Sequence, residues 1–201
     1  MGSGAFDYAL RLCEDRLPAS GRCSLPALNR VLYVRRGALS VMTGARAGRV
    51  EEDQGWHGAA ACEVGVGDGG ATVLRYELIR GSAPVGGVPG GATTILLEHP
   101  IDLDPRAEYL MRADRVDFAP AGVALPHRHR GGGIRCLIAG ALELTVGEAP
   151  ARRVPTSFVR VAILPREIRG RTSIMYVNPQ DAERGRPRTY TVYIDEPIEI
   201  A

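Results

Sequence analysis

Gly122-Val123-Ala124-Leu125-Pro126-His127-Arg128-His129-Arg130, continued by Gly131-Gly132-Gly133-Ile134-Arg135-Cys136-Leu137-Ile138-Ala139-Gly140, is the stretch that decides how this chain is read. The period of a β-strand puts His127 and His129 on one face and Arg128 and Arg130 on the other. Two imidazoles on one wall can share a metal ion through adjacent nitrogens. Borderline divalent metals usually take three or more protein ligands, so the same pair also reads as pocket or surface histidines without a metal. Glycines 131–133 leave room beside the rings for solvent or a ligand.

Working outward, short runs of strand character recur at 30–34, 39–42, 72–79, 93–97, 115–118, 134–138, 141–146, 158–164, 173–177 and 190–194, separated by turn residues. Many short strands of this kind predict an all-β sandwich or barrel. Residues 6–16 carry Phe6, Leu10 and Cys13 at helical spacing, which predicts a short N-terminal helix. The chain also repeats itself. A turn, a strand and a Gly-Ala-Leu turn at Gly37-Ala38-Leu39 return at Gly140-Ala141-Leu142, so two copies of one β-unit are expected. Pro100 and Pro105 flank an acidic stretch and mark a boundary at 98–106, dividing the chain into 1–98 and 99–201.

The 201 residues carry 25 basic and 23 acidic side chains, and every basic one is arginine. Without lysine there is no Schiff-base or pyridoxal chemistry and no P-loop. A net charge of +2 spread along the chain argues against nucleic acid as a partner. No apolar run approaches the roughly 18 residues of a spanning helix, and no basic-then-apolar leader is visible. The expectation is a soluble, cytoplasmic protein with no membrane partner. Cys13, Cys23, Cys62 and Cys136 form no C-x-x-C pair and read as small hydrophobes.

The quoted segment resembles the first motif of the cupin family. Gly122, His127, His129 and Gly140 stand where that motif has its opening glycine, paired histidines and closing glycine. Gly133 stands in place of the motif's glutamate. Pro165 matches a proline of the second motif, and Gly170 falls where its histidine would be. In the first half Gly21 and Gly37 fit the motif's ends, with Ser24, Leu25 and Pro26 in place of the histidines. The resemblance implies a bicupin: two cupin-type jelly-roll β-barrels after the short helix, the first degenerate and the second carrying the H-x-H pair. It also implies a homodimer.

By the same resemblance the function is that of a small-molecule enzyme acting in the second barrel, a metal-dependent oxygenase, isomerase or lyase. His127 and His129 would hold Fe, Mn, Ni or Zn, and no organic cofactor is implied. Arg135 would anchor an anionic substrate group, and Glu143 would replace the missing carboxylate if it points inward. Trp56 and His57 are further candidates for substrate contact; both also read as packing and surface residues at a sheet end. The alternative is a non-catalytic small-molecule-binding or sensing module that has lost its metal centre.

Overall fold

The computed structural model describes residues 7–120, 122–141, 155–184 and 188–200. These residues are all-β, built from antiparallel pairings, with 3₁₀ turns at Arg166–Ile168 and Pro179–Ala182. The chain divides into two compact units, Met1–Ala107 with Ile198–Ala201, and Glu108–Pro197.

The first unit holds β1 (Tyr8–Leu17), β2 (Arg22–Leu25), β3 (Arg30–Thr43), β4 (Arg46–Val50), β5 (Gly55–Gly58), β6 (Cys62–Arg80) and β7 (Ala92–Ile101). They form one sheet in the order β4-β3-β6-β1-β7, with β2 paired to β6 and β5 to β3. Alternate residues of β3 and β6, among them Leu32, Val34, Val64 and Val73, bury into one apolar cluster. Two of the expectations need correcting here. Residues 8–17 are a strand rather than a helix, hydrogen-bonded to β6 on one side and β7 on the other. A strand covered on both faces loses its alternation, so Leu10 and Cys13 imitate helical spacing. The supposed linker is also partly strand, because β7 runs on through Glu98 and His99 to Ile101.

The second unit holds β8 (Tyr109–Phe118), β9 (His127–His129), β10 (Gly132–Ala139), β11 (Thr156–Pro165), β12 (Ile174–Tyr176) and β13 (Arg188–Ile198). A four-stranded sheet runs β10-β11-β8-β13, and β9 pairs with β12 in a separate ribbon. Along one face of β8 and β11, apolar residues gather at both ends. Leu110, Ala162, Leu164 and Ile168 form one cluster, and Val116, Phe118 and Phe158 form the other. Arg112, Asp114 and Arg160 alternate onto that same face between them.

The strands before the two Gly-Ala-Leu turns share a register with their neighbours; the strand expected at 141–146 lies, apart from Ala141, outside the described residues. In the first unit β3, β6 and β1 lie side by side with Leu32 opposite Arg75 and Arg75 opposite Cys13. In the second, β10, β11 and β8 lie side by side with Arg135 opposite Arg160 and Arg160 opposite Asp114. The pairing shifts at Val34/Arg36 and again at Gly37/Leu39 in the first unit and at Leu137/Ala139 in the second, with a left-handed glycine after Arg36 and after Ala139. Gly37 has φ +82° and Gly140 has φ +77°. A Cβ on Gly37 would strike the Gly70 carbonyl oxygen, and one on Gly140 the Pro155 carbonyl oxygen. Gly37→Ala and Gly140→Ala should each therefore lose about 1–3 kcal/mol of stability. Denaturation midpoints unchanged from the wild type would show that neither position demands glycine.

Candidate functional site

The polar side chains of the second unit converge on Arg160. It lies in the middle of β11, opposite Asp114 of β8, and both are buried. Asp114 Oδ2 accepts from Arg160 Nη2 at 2.6 Å and Nε at 3.2 Å. Tyr190, on β13, donates its hydroxyl to the same oxygen at 2.7 Å and accepts from Arg160 Nη2 at 2.5 Å. The second carboxylate oxygen, Oδ1, is buried with no hydrogen-bond partner among the described residues. Burial first, and then the Asp114 charge, raises the Tyr190 hydroxyl pKa above its ordinary value, so it stays protonated.

The remaining amine of Arg160 faces the histidine strand. Its Nη1 lies 2.9 Å from His129 Nδ1 and 3.3 Å from His129 Nε2. His129 Nδ1 is also 3.1 Å from Ser173 Oγ. His127 and His129 share a face as their spacing predicts, with ring centroids 4.9 Å apart and edge to face. Tyr176, opposite His127 in the β9–β12 ribbon, closes that side with its ring 6.0 Å away. His127 Nδ1 lies 2.6 Å from the Leu125 carbonyl oxygen. That contact requires an Nδ1–H donor, which leaves Nε2 of the neutral ring as a bare acceptor.

Both imidazoles are held neutral. Loss of hydration is the main cause for each, and the arginines add to it. His129 is pushed down to about 3, with Arg160 and Arg135 as the next causes. His127 is lowered by burial and by Arg188, Arg135 and Arg160, against a partial rise from its bond to Leu125.

Arg135 stands opposite Arg160 on the outer strand β10. Its guanidinium carbon is 5.8 Å from the centroid of the Phe158 ring, and no carboxylate among the described residues pairs with it. Loss of hydration and then the Arg160 charge lower its pKa, though a guanidinium remains charged. A cavity of about 430 Å³ is lined by Arg112, Arg171, Arg188, Tyr190 and Asp195, with Ile174 and Val192 as apolar wall. Asp195 is already committed to Arg112, at 2.8 and 3.0 Å, and to the Gly170 amide at 2.7 Å. The cavity wall thus carries three guanidinium groups against one carboxylate.

These residues do not fit a divalent ion in this arrangement. Among the described residues no third His, Cys, Asp or Glu joins the two histidines. Both nitrogens of His129 face a guanidinium, and the nearby carboxylate of Asp114 is bound to that same group. Gly133, where a cupin would carry glutamate, has no room for a side chain: a Cβ there would lie 2.7 Å from the Val161 carbonyl oxygen and 2.8 Å from Ala162 Cβ. Glu143 lies outside the described residues.

Trp56 and His57 are on β5 of the first unit, opposite Leu32 and Val31 of β3, and not in the second unit with His127, His129 and Arg135. The Trp56 indole packs against the apolar cluster of that unit and lies across Gly58. Sequence reasoning missed Arg160, Asp114 and Tyr190. The available signal was a charge inside an apolar strand, Phe158-Val159-Arg160-Val161-Ala162, since such a charge is buried only when paired. Comparison with known proteins finds no matching family model, no matching curated protein and no matching solved structure.

The neutral state of His129 sets a pH dependence. The unfolded ring titrates near 6.5 and the folded one at about 3, so below pH 6.5 the unfolded chain takes up a proton that the folded chain refuses. The contribution of this ring to stability is complete above that pH and is lost as the pH falls toward 3. The urea midpoint should therefore drop between pH 7 and pH 4, and more steeply for the wild type than for His129→Gln. Equal slopes in the two proteins would contradict the assignment.

Proposed function

We propose that the second unit binds a small carboxylate, and that the chain is a bicupin in which this unit is the binding barrel. The repeated three-strand register, with its matching bulge and left-handed glycine, supports two copies of one barrel. The observation that carries the functional reading is the charge imbalance around Arg160. In the first unit the corresponding row is Leu32, Arg75 and Cys13, and its buried charges cancel. Arg75 is held by Asp15 at 2.7 Å and by Glu77 at 2.8 Å, and Arg30 by Glu77 at 3.2 Å. In the second unit Asp114 and Asp195 answer the buried Arg160 and Arg112, while the exposed Arg135 and the half-buried Arg188 have no carboxylate partner among the described residues. Two uncancelled guanidinium groups beside desolvated, neutral imidazoles favour an anion, and the fork of a guanidinium matches a carboxylate. A cavity of about 430 Å³ is of the size that holds a small organic molecule.

A catalytic version of the same site has one observation in its favour. His127 presents a bare Nε2, as a general base for an isomerase or lyase would, and the charge of Arg188, which lines that cavity, acts on its ring. Binding comes first in either version. Calorimetric titration at pH 7.5 with acetate, succinate and benzoate tests it. At least one should bind, and Arg135→Gln should weaken it about tenfold or more, the loss of one charge-assisted hydrogen bond of about 1.5–3 kcal/mol. A panel in which none binds, or an Arg135→Gln protein that binds as the wild type does, would sink the proposal.

A further inference from the structure

We propose that the guanidinium of Arg160 takes the place a divalent ion would hold beside the two histidines, so that the site's resident cation is a side chain and the site works without metal. It rests on the reading above only for the anion; the exclusion of metal is a separate claim about this chain's own residues.

Three observations carry it. The first is coverage: one Arg160 amine lies within 3.3 Å of both ring nitrogens of His129, so an ion approaching either meets a positive charge already in place. The second is that Arg160 cannot swing aside. Its Nε and other amine are bound to Asp114 Oδ2, Tyr190 adds a third contact, and the Arg160 side chain is only 4% exposed and that of Asp114 0%. Its position also belongs to the sheet, because Arg75 fills the equivalent place in the first unit, opposite Leu32 and Cys13. The third concerns charge. A guanidinium is protonated at every accessible pH, and Arg135 opposite it adds a second cation, so a divalent ion would enter against two positive groups. An anionic ligand meets the opposite balance.

Removing the guanidinium should reverse the exclusion. Asp114 would become a buried, uncompensated carboxylate beside two neutral imidazoles, a donor set that divalent ions accept. The test is titration of the full chain with Co²⁺ at pH 7.5, followed by broadening of the imidazole resonances in NMR spectra and by melting temperature. In the wild type the His129 signals should survive several equivalents of Co²⁺, and benzoate affinity should be the same with and without chelator. Arg160→Met should bind Co²⁺ at least tenfold more tightly than the wild type and gain melting temperature on binding. Stoichiometric broadening of both rings in the wild type, absent in His127→Ala, would overturn the proposal. So would a folded Arg160→Met protein that takes no Co²⁺, or carboxylate binding lost on chelation. If Arg160→Met does not fold, the wild-type titration alone decides. If no carboxylate binds at all, the binding function fails while the metal titration still reads this claim.

Discussion

The ion pair between Arg160 and Asp114 is the constraint from which the second unit takes its form. Two charges on neighbouring strands, with 4% and 0% of their side chains exposed, have given up their hydration and can recover it only from each other. That requirement fixes register. Slipping β11 by one residue would turn Arg160 to the opposite face, beside Ala113 or Arg115 of β8 and away from Asp114. The same pair draws in β13 through the Tyr190 hydroxyl and the β9–β12 ribbon through His129. Four segments far apart in the chain are thereby tied to one guanidinium. The apolar clusters at either end of the sheet face supply burial, and the polar band between them specifies which strands meet and how.

The first unit meets the same demand differently. Arg75 occupies the matching position and is closed off by Asp15, Glu77 and the carbonyl oxygen of Gly86, with Thr93 supporting Asp15. Where the second unit places Arg135 and Asp114, the first places Leu32 and Cys13. Burial, the main cause, raises the Cys13 thiol pKa to about 11, which keeps it protonated and unreactive. The two three-strand registers therefore differ in how much charge they leave unanswered. That difference, more than any motif, is the ground for proposing a ligand in the second unit and not in the first.

Much of the fold was legible because turns are local. Runs read at 72–79, 93–97, 134–138 and 158–164 lie within β6, β7, β10 and β11, and a register shift precedes the glycine of each Gly-Ala-Leu turn. Errors arose where burial on both faces erased alternation, as in β1. They also arose where a turn-like composition hid a continuous strand: 30–34 and 39–42 are one strand, β3, bent at Gly37. The site was legible in part. His127 and His129 could be found by spacing along the chain, because local alternation fixes their common face, and Arg135 lies on the next strand, β10. Asp114 and Tyr190 could not, since what makes them part of the site is a partner 46 or 30 residues away. Nor could Arg160, whose amine lies 2.9 Å from His129 Nδ1 but comes from a strand 31 residues further along the chain.

The most direct test of this account is a double-mutant cycle on the pair itself, using Arg160→Met, Asp114→Leu and the combined variant in urea denaturation. Each single change leaves a buried charge without its partner and should cost about 3–5 kcal/mol, whereas the double replaces both by apolar groups and should lose far less than the sum. Strict additivity, or single variants within about 0.5 kcal/mol of the wild type, would show that the pair does not organise the second unit.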